Sequence, residues 1–187
     1  MLDAALSYVT KSQVQMLATQ IVKVRAADTV SHVRAVLLNE IGEWDSSQLK
    51  VACETSKQAQ LVALVAKMCE DSEVGKVALF NFLKVVQAAQ NTSSKEVLKQ
   101  LAQSFDSCKS ALLSRILPST ENQNDPQSMI KAIQILSHFQ DKIASDTHAM
   151  IANNVHHGSA DVRKEAANFL LTTQSELKNG LSDLLPI

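Results

Sequence analysis

The sequence predicts an all-α fold built from repeated helical hairpins. Only four of its 187 residues are Gly and three are Pro, and aromatic residues make up 4%. That composition suits helices better than sheets, which favour β-branched and aromatic residues between Gly-rich turns. Apolar residues recur at helical spacing, and one helix-opening phrase appears at 159–171, at 72–83 and, more faintly, at 28–41. Repeated hairpins stack into extended surfaces rather than closing around an active site.

Breaks in the apolar pattern divide the chain into four predicted hairpins of two helices each. Their second helices begin near positions 28, 72, 126 and 159. The average spacing of these starts, about 44 residues, falls within the range of roughly 40–47 residues found in two-helix repeats. The hairpins are expected at 11–43, 47–90, 94–145 and 147–178.

The first two hairpins are indicated by their caps and apolar stripes. Asp28 is expected to cap the second helix of the first hairpin. The first helix of the second hairpin is polar in its first half, so a break is expected near Thr55-Ser56, and Asp71-Ser72 starts its second helix. The apolar face of that second helix is expected to consist of Val74, Val77, Ala78, Phe82 and Val85.

The third hairpin contains the clearest linker in the sequence. A capping box formed by Ser93 and Glu96 opens its first helix. The segment 118–127 follows. Its residues after Pro118 are polar apart from Pro126, so the segment is expected to lie on the surface. Asp125 and Pro126 then predict an N-cap followed by Pro at the first helical position.

The fourth hairpin combines a short helix over 147–155 with a longer one. The longer helix is expected to run from Ser159 to about residue 178, with Gly180 as the C′ residue beyond its end. The apolar residues 181–187 then resemble the start of a further element. The chain is therefore expected to be part of a longer protein, and this stub is a candidate surface for self-association.

The recurring phrase resembles the second helix of a HEAT repeat, in the HEAT and armadillo class of helical-repeat proteins. In that family an Asp caps the helix, a Val and an Ala pack on the partner helix, and an Arg often bonds into the neighbouring repeat's turn. The matching positions are Asp161, Val162, Arg163, Ala166 and Leu170.

Two other segments match less completely. Gly75 stands where the phrase at 72–83 would carry the Arg, whereas Val33-Arg34 fits within 28–41. The resemblance implies a right-handed α-solenoid of about four hairpins, forming a single domain over 1–187. A closed helical bundle is the alternative, although bundles generally use longer helices than those expected here.

No set of residues predicts catalysis, a metal or a cofactor. His148, His156 and His157 lack the i,i+4 spacing that places two imidazoles on one helix face. Cys108 lies in the middle of a predicted helix, where a free Cys usually packs rather than reacts. Trp44 is expected to be a core residue, with an interface anchor as the alternative interpretation.

The resemblance also implies a binding surface, because the second helices line the concave face of HEAT-like arrays. The polar residues expected there are His32, Asn39, Lys76, Asn81, Lys84, Lys131, Gln134, His138, Arg163, Lys164 and Asn168. Most of the charges in this set are basic, although the net charge of the chain is -1. A positive strip that binds an acidic peptide or a phosphate backbone is therefore expected.

The function predicted from these observations is non-catalytic docking of a protein or peptide on the concave face. Nucleic-acid binding through the basic strip is the alternative, which the near-neutral net charge does not favour. The longest apolar run, Leu61 to Ala66, is far short of the roughly 20 residues needed to span a bilayer. Three widely spaced Cys and the lack of a signal-like start predict an intracellular protein, cytoplasmic or nuclear.

Overall fold

The computed structural model describes residues 31–54, 59–71, 73–92, 94–117 and 124–182, together with Ser119 and Asn122. Within these residues the chain forms eight α-helices, two short 3-10 helices and no strand, which confirms the all-α prediction. The α-helices are α1 Ser31–Glu43, α2 Ser46–Glu54, α3 Ala59–Met68, α4 Gly75–Gln90, α5 Lys95–Ile116, α6 Pro126–Ser137, α7 Ser145–Asn153 and α8 Ala160–Ser182. The 3-10 helices are Gln140–Lys142 and Asn154–His156.

Most helix boundaries lie within a few residues of those predicted, with two exceptions. The helix expected over 126–145 ends at Ser137, and a 3-10 turn follows. The last helix continues to Ser182, so the prediction that Gly180 lies beyond its end was wrong. The break expected near Thr55-Ser56 and the first helix of the first hairpin lie outside the described residues.

Side-chain caps account for several helix starts. Asp125 Oδ1 accepts a hydrogen bond from Ser128 N at 3.3 Å, which confirms the predicted N-cap before Pro126. Ser93 lies outside the described residues, and the neighbouring Ser94 Oγ accepts from Val97 N at 3.4 Å. Each cap satisfies a backbone N–H that has no partner inside its own helix.

The chain divides into two compact units, Met1–Cys108 and Lys109–Ile187, with the boundary inside α5. Each unit has its own buried side chains among the described residues. The first unit buries Leu38, Ile41, Val65, Phe82, Val85 and Phe105, and the second buries Leu112, Ile116, Ile133, Leu136, Ile151 and Phe169. The expectation of a single domain over 1–187 stays a prediction.

In the first unit, α4 packs against α1, α2 and α3. Asn81 Nδ2 on α4 donates to Leu38 O on α1 at 2.7 Å, and Lys84 Nζ donates to Gly42 O. Moving three residues along α4 thus moves the contact four residues along α1. The two helices therefore run in the same direction where they touch.

In the second unit, α8 packs against α6, α7 and the 3-10 helix Asn154–His156. Gln134 Nε2 on α6 donates to Glu165 Oε2 on α8 at 3.2 Å. Farther along, Thr173 Oγ1 donates to Gln140 Oε1, just beyond α6, also at 3.2 Å. The contacts advance in the same sense on both segments, so α6 and α8 are also parallel.

One residue of the predicted linker is an exception to the expected surface position. Asn122 is buried, and its Nδ2 donates to Ser114 O and Leu117 O, both at 2.7 Å. The amide therefore satisfies carbonyl groups at the C-terminal end of α5, which have no partner within the helix. Ser119 is exposed, as predicted.

Candidate docking face

The residues predicted to line the binding face differ in accessibility. The exposed ones are Asn39, Lys76, Lys84, Arg163, Lys164 and Asn168, and the half-buried ones are Lys131, Gln134 and His138. Asn81 is buried, and the side chain of His32 lies outside the described residues.

Asn81 holds helices together instead of facing solvent. It is 4% exposed, and its Nδ2 donates to Leu38 O on α1 and, at 3.2 Å, to Val77 O on its own helix. An amide with both donor hydrogens used inside the protein is a structural residue. As a polar residue of a second helix it was expected on the binding face, but the approach of α1 covers this position.

Arg163 also lies on a different side of α8 from Asn168. Its Nη1 donates to His157 O and Gly158 O, each at 2.8 Å, so the guanidinium closes the turn that precedes its own helix. The resemblance had implied a bond into a neighbouring repeat's turn. At about 100° per residue, Arg163 lies about 140° around α8 from Asn168.

Gly75 occupies the position where the family pattern has an Arg, and the packing explains why. A Cβ on Gly75 would lie 2.8 Å from the main-chain oxygen of Cys69. The start of α4 therefore approaches the end of the preceding helical segment more closely than any side chain allows. An ion pair lies nearby in this unit, where Arg34 Nη2 is 2.9 Å from Asp71 Oδ2.

In the second unit, the described side chains on one side of α6 and α8 carry both signs of charge. We call them the α6–α8 face: Lys131, Gln134, His138, Asp161, Lys164 and Glu165. Lys131 Nζ donates to Gln134 Oε1 at 3.1 Å, and Gln134 in turn donates to Glu165. Burial lowers the pKa of His138, so this imidazole is neutral at pH 7. Glu165 and the exposed Asp161 thus offset the charges of Lys131 and Lys164.

The exposed face of α4 in the first unit has a different character. Lys76, Phe80 and Lys84 form a row at i, i+4 and i+8, and such residues lie one above another on a helix. Phe80 is 40% exposed and Val77 beside it is 38% exposed. The helix contains no Asp or Glu. We call Lys76, Val77, Phe80 and Lys84 the α4 face.

Sequence reasoning missed the two apolar members of the α4 face. Val77 had been predicted to lie in the core, and its 38% exposure shows that this was wrong. Phe80 is absent from the apolar face predicted for this helix, and its position four residues from each lysine places it on the polar side of α4. The buried side of α4 contains Ala78, Phe82 and Val85, as predicted.

The Cys thiols of the described residues are buried. Burial raises the pKa of the Cys108 thiol to about 12, so the nucleophilic thiolate does not form near neutral pH. Cys53 and Cys69 are buried too. Across the described part of the chain, no group of three His, Cys, Asp or Glu is placed to hold a metal ion. None of the described helices combines the length and hydropathy required to cross a membrane.

Comparisons of the chain with models of protein families, with curated proteins and with solved structures found no match. The contacts, burial and charges of the described residues therefore carry the functional inference. The α4 face is the strongest candidate site, because it combines exposed apolar side chains with two cations on one helix.

Proposed function

We propose that the protein is a non-catalytic docking module: a HEAT-like α-solenoid that binds a protein or peptide on the face formed by its second helices. The parallel packing of α1 with α4, and of α6 with α8, is the observation that carries this proposal. In stacked hairpins, equivalent helices of successive hairpins touch and run parallel.

The ion pair between Arg34 and Asp71 adds support for stacked hairpins. Arg34 belongs to the second helix of the first predicted hairpin, and Asp71 precedes the second helix of the next one. Asp71 Oδ1 also accepts from Glu73 N at 2.9 Å and from Val74 N at 3.0 Å, so it caps that turn. An Arg that bonds into a neighbouring repeat's turn is what the HEAT resemblance implies.

The non-catalytic part of the proposal is supported by the surroundings of Cys108 and His157, the residues weighed for a nucleophilic or metal-binding role. Cys108, the nucleophile candidate, is fully buried, and its Sγ donates to Phe105 O. His157 Nδ1 accepts a hydrogen bond from Ser159 N at 3.0 Å, so that imidazole is part of a turn. An intracellular location, cytoplasmic or nuclear, remains part of the proposal.

Peptide selection on the full-length chain tests the docking function. A random peptide library would be displayed on phage and selected against the protein. The selected peptides would then be cross-linked to variants with a photoreactive amino acid at one exposed position. Asn39, Lys84 and Asn168 sample the second helices, and Lys67, Ser107 and Ala149 sample other helices as matched controls.

We expect enriched peptides to cross-link at the second-helix positions and not at the controls. Enrichment that maps to Lys67, Ser107 or Ala149 would contradict the assignment of the face, and no enrichment at all would contradict docking of peptides. Nucleic-acid binding is the alternative function, and a labelled single-stranded oligonucleotide tests it. Binding whose affinity falls steeply with salt would favour that alternative.

A further inference from the structure

We infer that the α4 face binds an extended acidic peptide in which one large apolar side chain lies between two carboxylates. This inference rests on the proposed docking function and names the partner's chemistry. Lys76 and Lys84 would pair with the carboxylates, and Phe80 with Val77 would contact the apolar side chain between them.

The spacing of the α4 face favours an extended partner. Residues four apart on a helix are separated by about 6 Å along its axis, so the two lysines lie about 12 Å apart, with Phe80 midway. Alternate residues of an extended chain share one face and are separated by about 6.6–6.8 Å. A peptide with a carboxylate at position i, an apolar residue at i+2 and a second carboxylate at i+4 therefore matches the spacing of Lys76, Phe80 and Lys84.

The size of the apolar patch argues against a helical partner. Helices that dock in grooves bury anchors at i, i+3, i+4 and i+7, over several turns. The α4 face offers two exposed apolar side chains, Val77 and Phe80, within one turn. An apolar patch of two side chains is large enough to contact one large side chain of a partner.

The charge distribution favours a peptide over a nucleic acid. Both lysines of α4 lie on the exposed face, and the helix has no carboxylate. Two cations match two carboxylates, whereas nucleic-acid binding depends on neutralising several phosphates. The whole chain has a net charge of -1, and the α6–α8 face of the other unit carries both signs.

The ammonium group of Lys84 is held in position by a contact with α1. Its Nζ donates to Gly42 O at the end of α1, which leaves the ammonium group two further donor hydrogens. A lysine that is already positioned loses less side-chain entropy when it binds a carboxylate. The partner's carboxylate at this end would therefore meet a cation whose direction α1 has set.

Fluorescence anisotropy with two designed peptides tests the inference on the full-length chain. The first carries Glu, Ser, Leu, Ser and Glu in its centre, and the second has the same residues in the order Ser, Glu, Leu, Glu and Ser. When both are extended, only the first presents the carboxylates and the Leu on one face. We expect wild type to bind the first at least tenfold more tightly.

Four variants form matched pairs in this experiment. K76E/K84E should weaken binding of the first peptide at least tenfold, and K95E/K99E, which makes the same charge change at exposed positions of α5, should not. F80A should weaken it at least fivefold, and L98A should not, since Leu98 is 41% exposed and Phe80 40%. F80L should retain binding, and far-UV circular dichroism would verify that every variant is folded.

A charge swap provides the decisive check, because a peptide with Lys in place of both Glu should bind K76E/K84E and not wild type. Equal binding of the two acidic peptides, or equal loss in K95E/K99E, would overturn the inference. So would tighter binding of a single-stranded oligonucleotide through the same residues. If no acidic peptide binds but library peptides still cross-link to second helices, the docking function stands and the α4 assignment falls.

Discussion

Two buried Asn side chains join helices in the same way. Asn81 Nδ2 donates to Leu38 O and Val77 O, and Asn154 Nδ2 donates to Ile116 O at 3.1 Å and to Met150 O at 2.9 Å. In each case one acceptor is the carbonyl four residues earlier, and the other belongs to a separate helix. Buried donors that lose their acceptors cost free energy, so these contacts specify which helices touch.

Replacing Asn81 with Asp should therefore be costly. The new carboxylate would face two carbonyl oxygens in a buried position, and we expect the free energy of unfolding to fall by at least about 2 kcal/mol. Urea unfolding followed by circular dichroism measures this change. The control N168D alters an exposed Asn, and its effect should stay within about 0.5 kcal/mol. Equal effects of the two substitutions would mean that Asn81 is not buried.

Asp71 predicts a pH dependence. Hydrogen bonds from Val74 N and Glu73 N hold the pKa of its carboxyl below the usual range, and the charge of Arg34 adds to this. A lowered folded-state pKa means that the stabilisation is present at neutral pH. It is lost as pH falls below about 4, through the folded-state value.

The variant D71N keeps an oxygen for the cap but removes the charge. We expect it to lower the free energy of unfolding at pH 7 by on the order of 1 kcal/mol, since the Arg34 pair is partly buried. The difference from wild type should shrink by pH 3, measured by urea unfolding. A difference of the same size at both pH values would contradict the assigned role of the carboxylate.

At the scale of elements, the start of α4 depends on the absence of a side chain at Gly75. Replacing Gly with Ala in a helix usually stabilises by about 0.5–1 kcal/mol. Here the Cβ would lie 2.8 Å from Cys69 O, a main-chain atom that cannot rotate away. We therefore expect G75A to lower the free energy of unfolding by about 1–3 kcal/mol, the usual cost of overpacking.

Gly158 provides the control for this prediction. No atom lies within 4 Å of a Cβ added there, and none of the described glycines has a positive φ. G158A should be neutral or stabilising by up to about 1 kcal/mol, because Ala restricts the unfolded chain. Thermal unfolding of G75A and G158A measures whether each substitution lowers or raises stability. A stabilised G75A would show that α4 does not approach Cys69 so closely.

At the scale of the whole molecule, the two compact units should respond differently to pH. Burial lowers the pKa of His138, so protonation opposes folding of its unit. The stability that depends on neutral His138 is full above the ordinary His pKa, about 6.5, and falls as the pH decreases below it. Trp44, the one Trp of the chain, belongs to the other unit and reports on that unit's unfolding.

We expect the thermal transition followed by far-UV circular dichroism to separate from the Trp44 fluorescence transition as the pH is lowered from 7 to 5. Each unit buries its own apolar side chains, which gives each a transition of its own. H138Q should remove most of the shift in the circular dichroism signal. Transitions that coincide at every pH would instead support the single domain over 1–187 that the sequence predicted.

Local patterns in the sequence were sufficient for the helical fold and for several caps. Helix content, the N-cap at Asp125 and the start of the helix after Asp71 depend on composition and on interactions a few residues apart. The sequence also placed Lys76, Lys84, Lys164 and Asn168 on exposed positions. These features follow from helical periodicity and capping, which act within one segment.

Tertiary packing decided which side of each polar or apolar stripe is covered. Val77 and Asn81 are one turn apart on α4, yet the apolar Val77 is exposed and the polar Asn81 is buried. Periodicity places both near the edge of the apolar stripe, but only the approach of α1 determines which one it covers. The α4 face depends on the same packing, which leaves Phe80 40% exposed. A helix's sequence sets the angle of each side chain around its axis, whereas exposure depends on neighbours that the chain brings from far away.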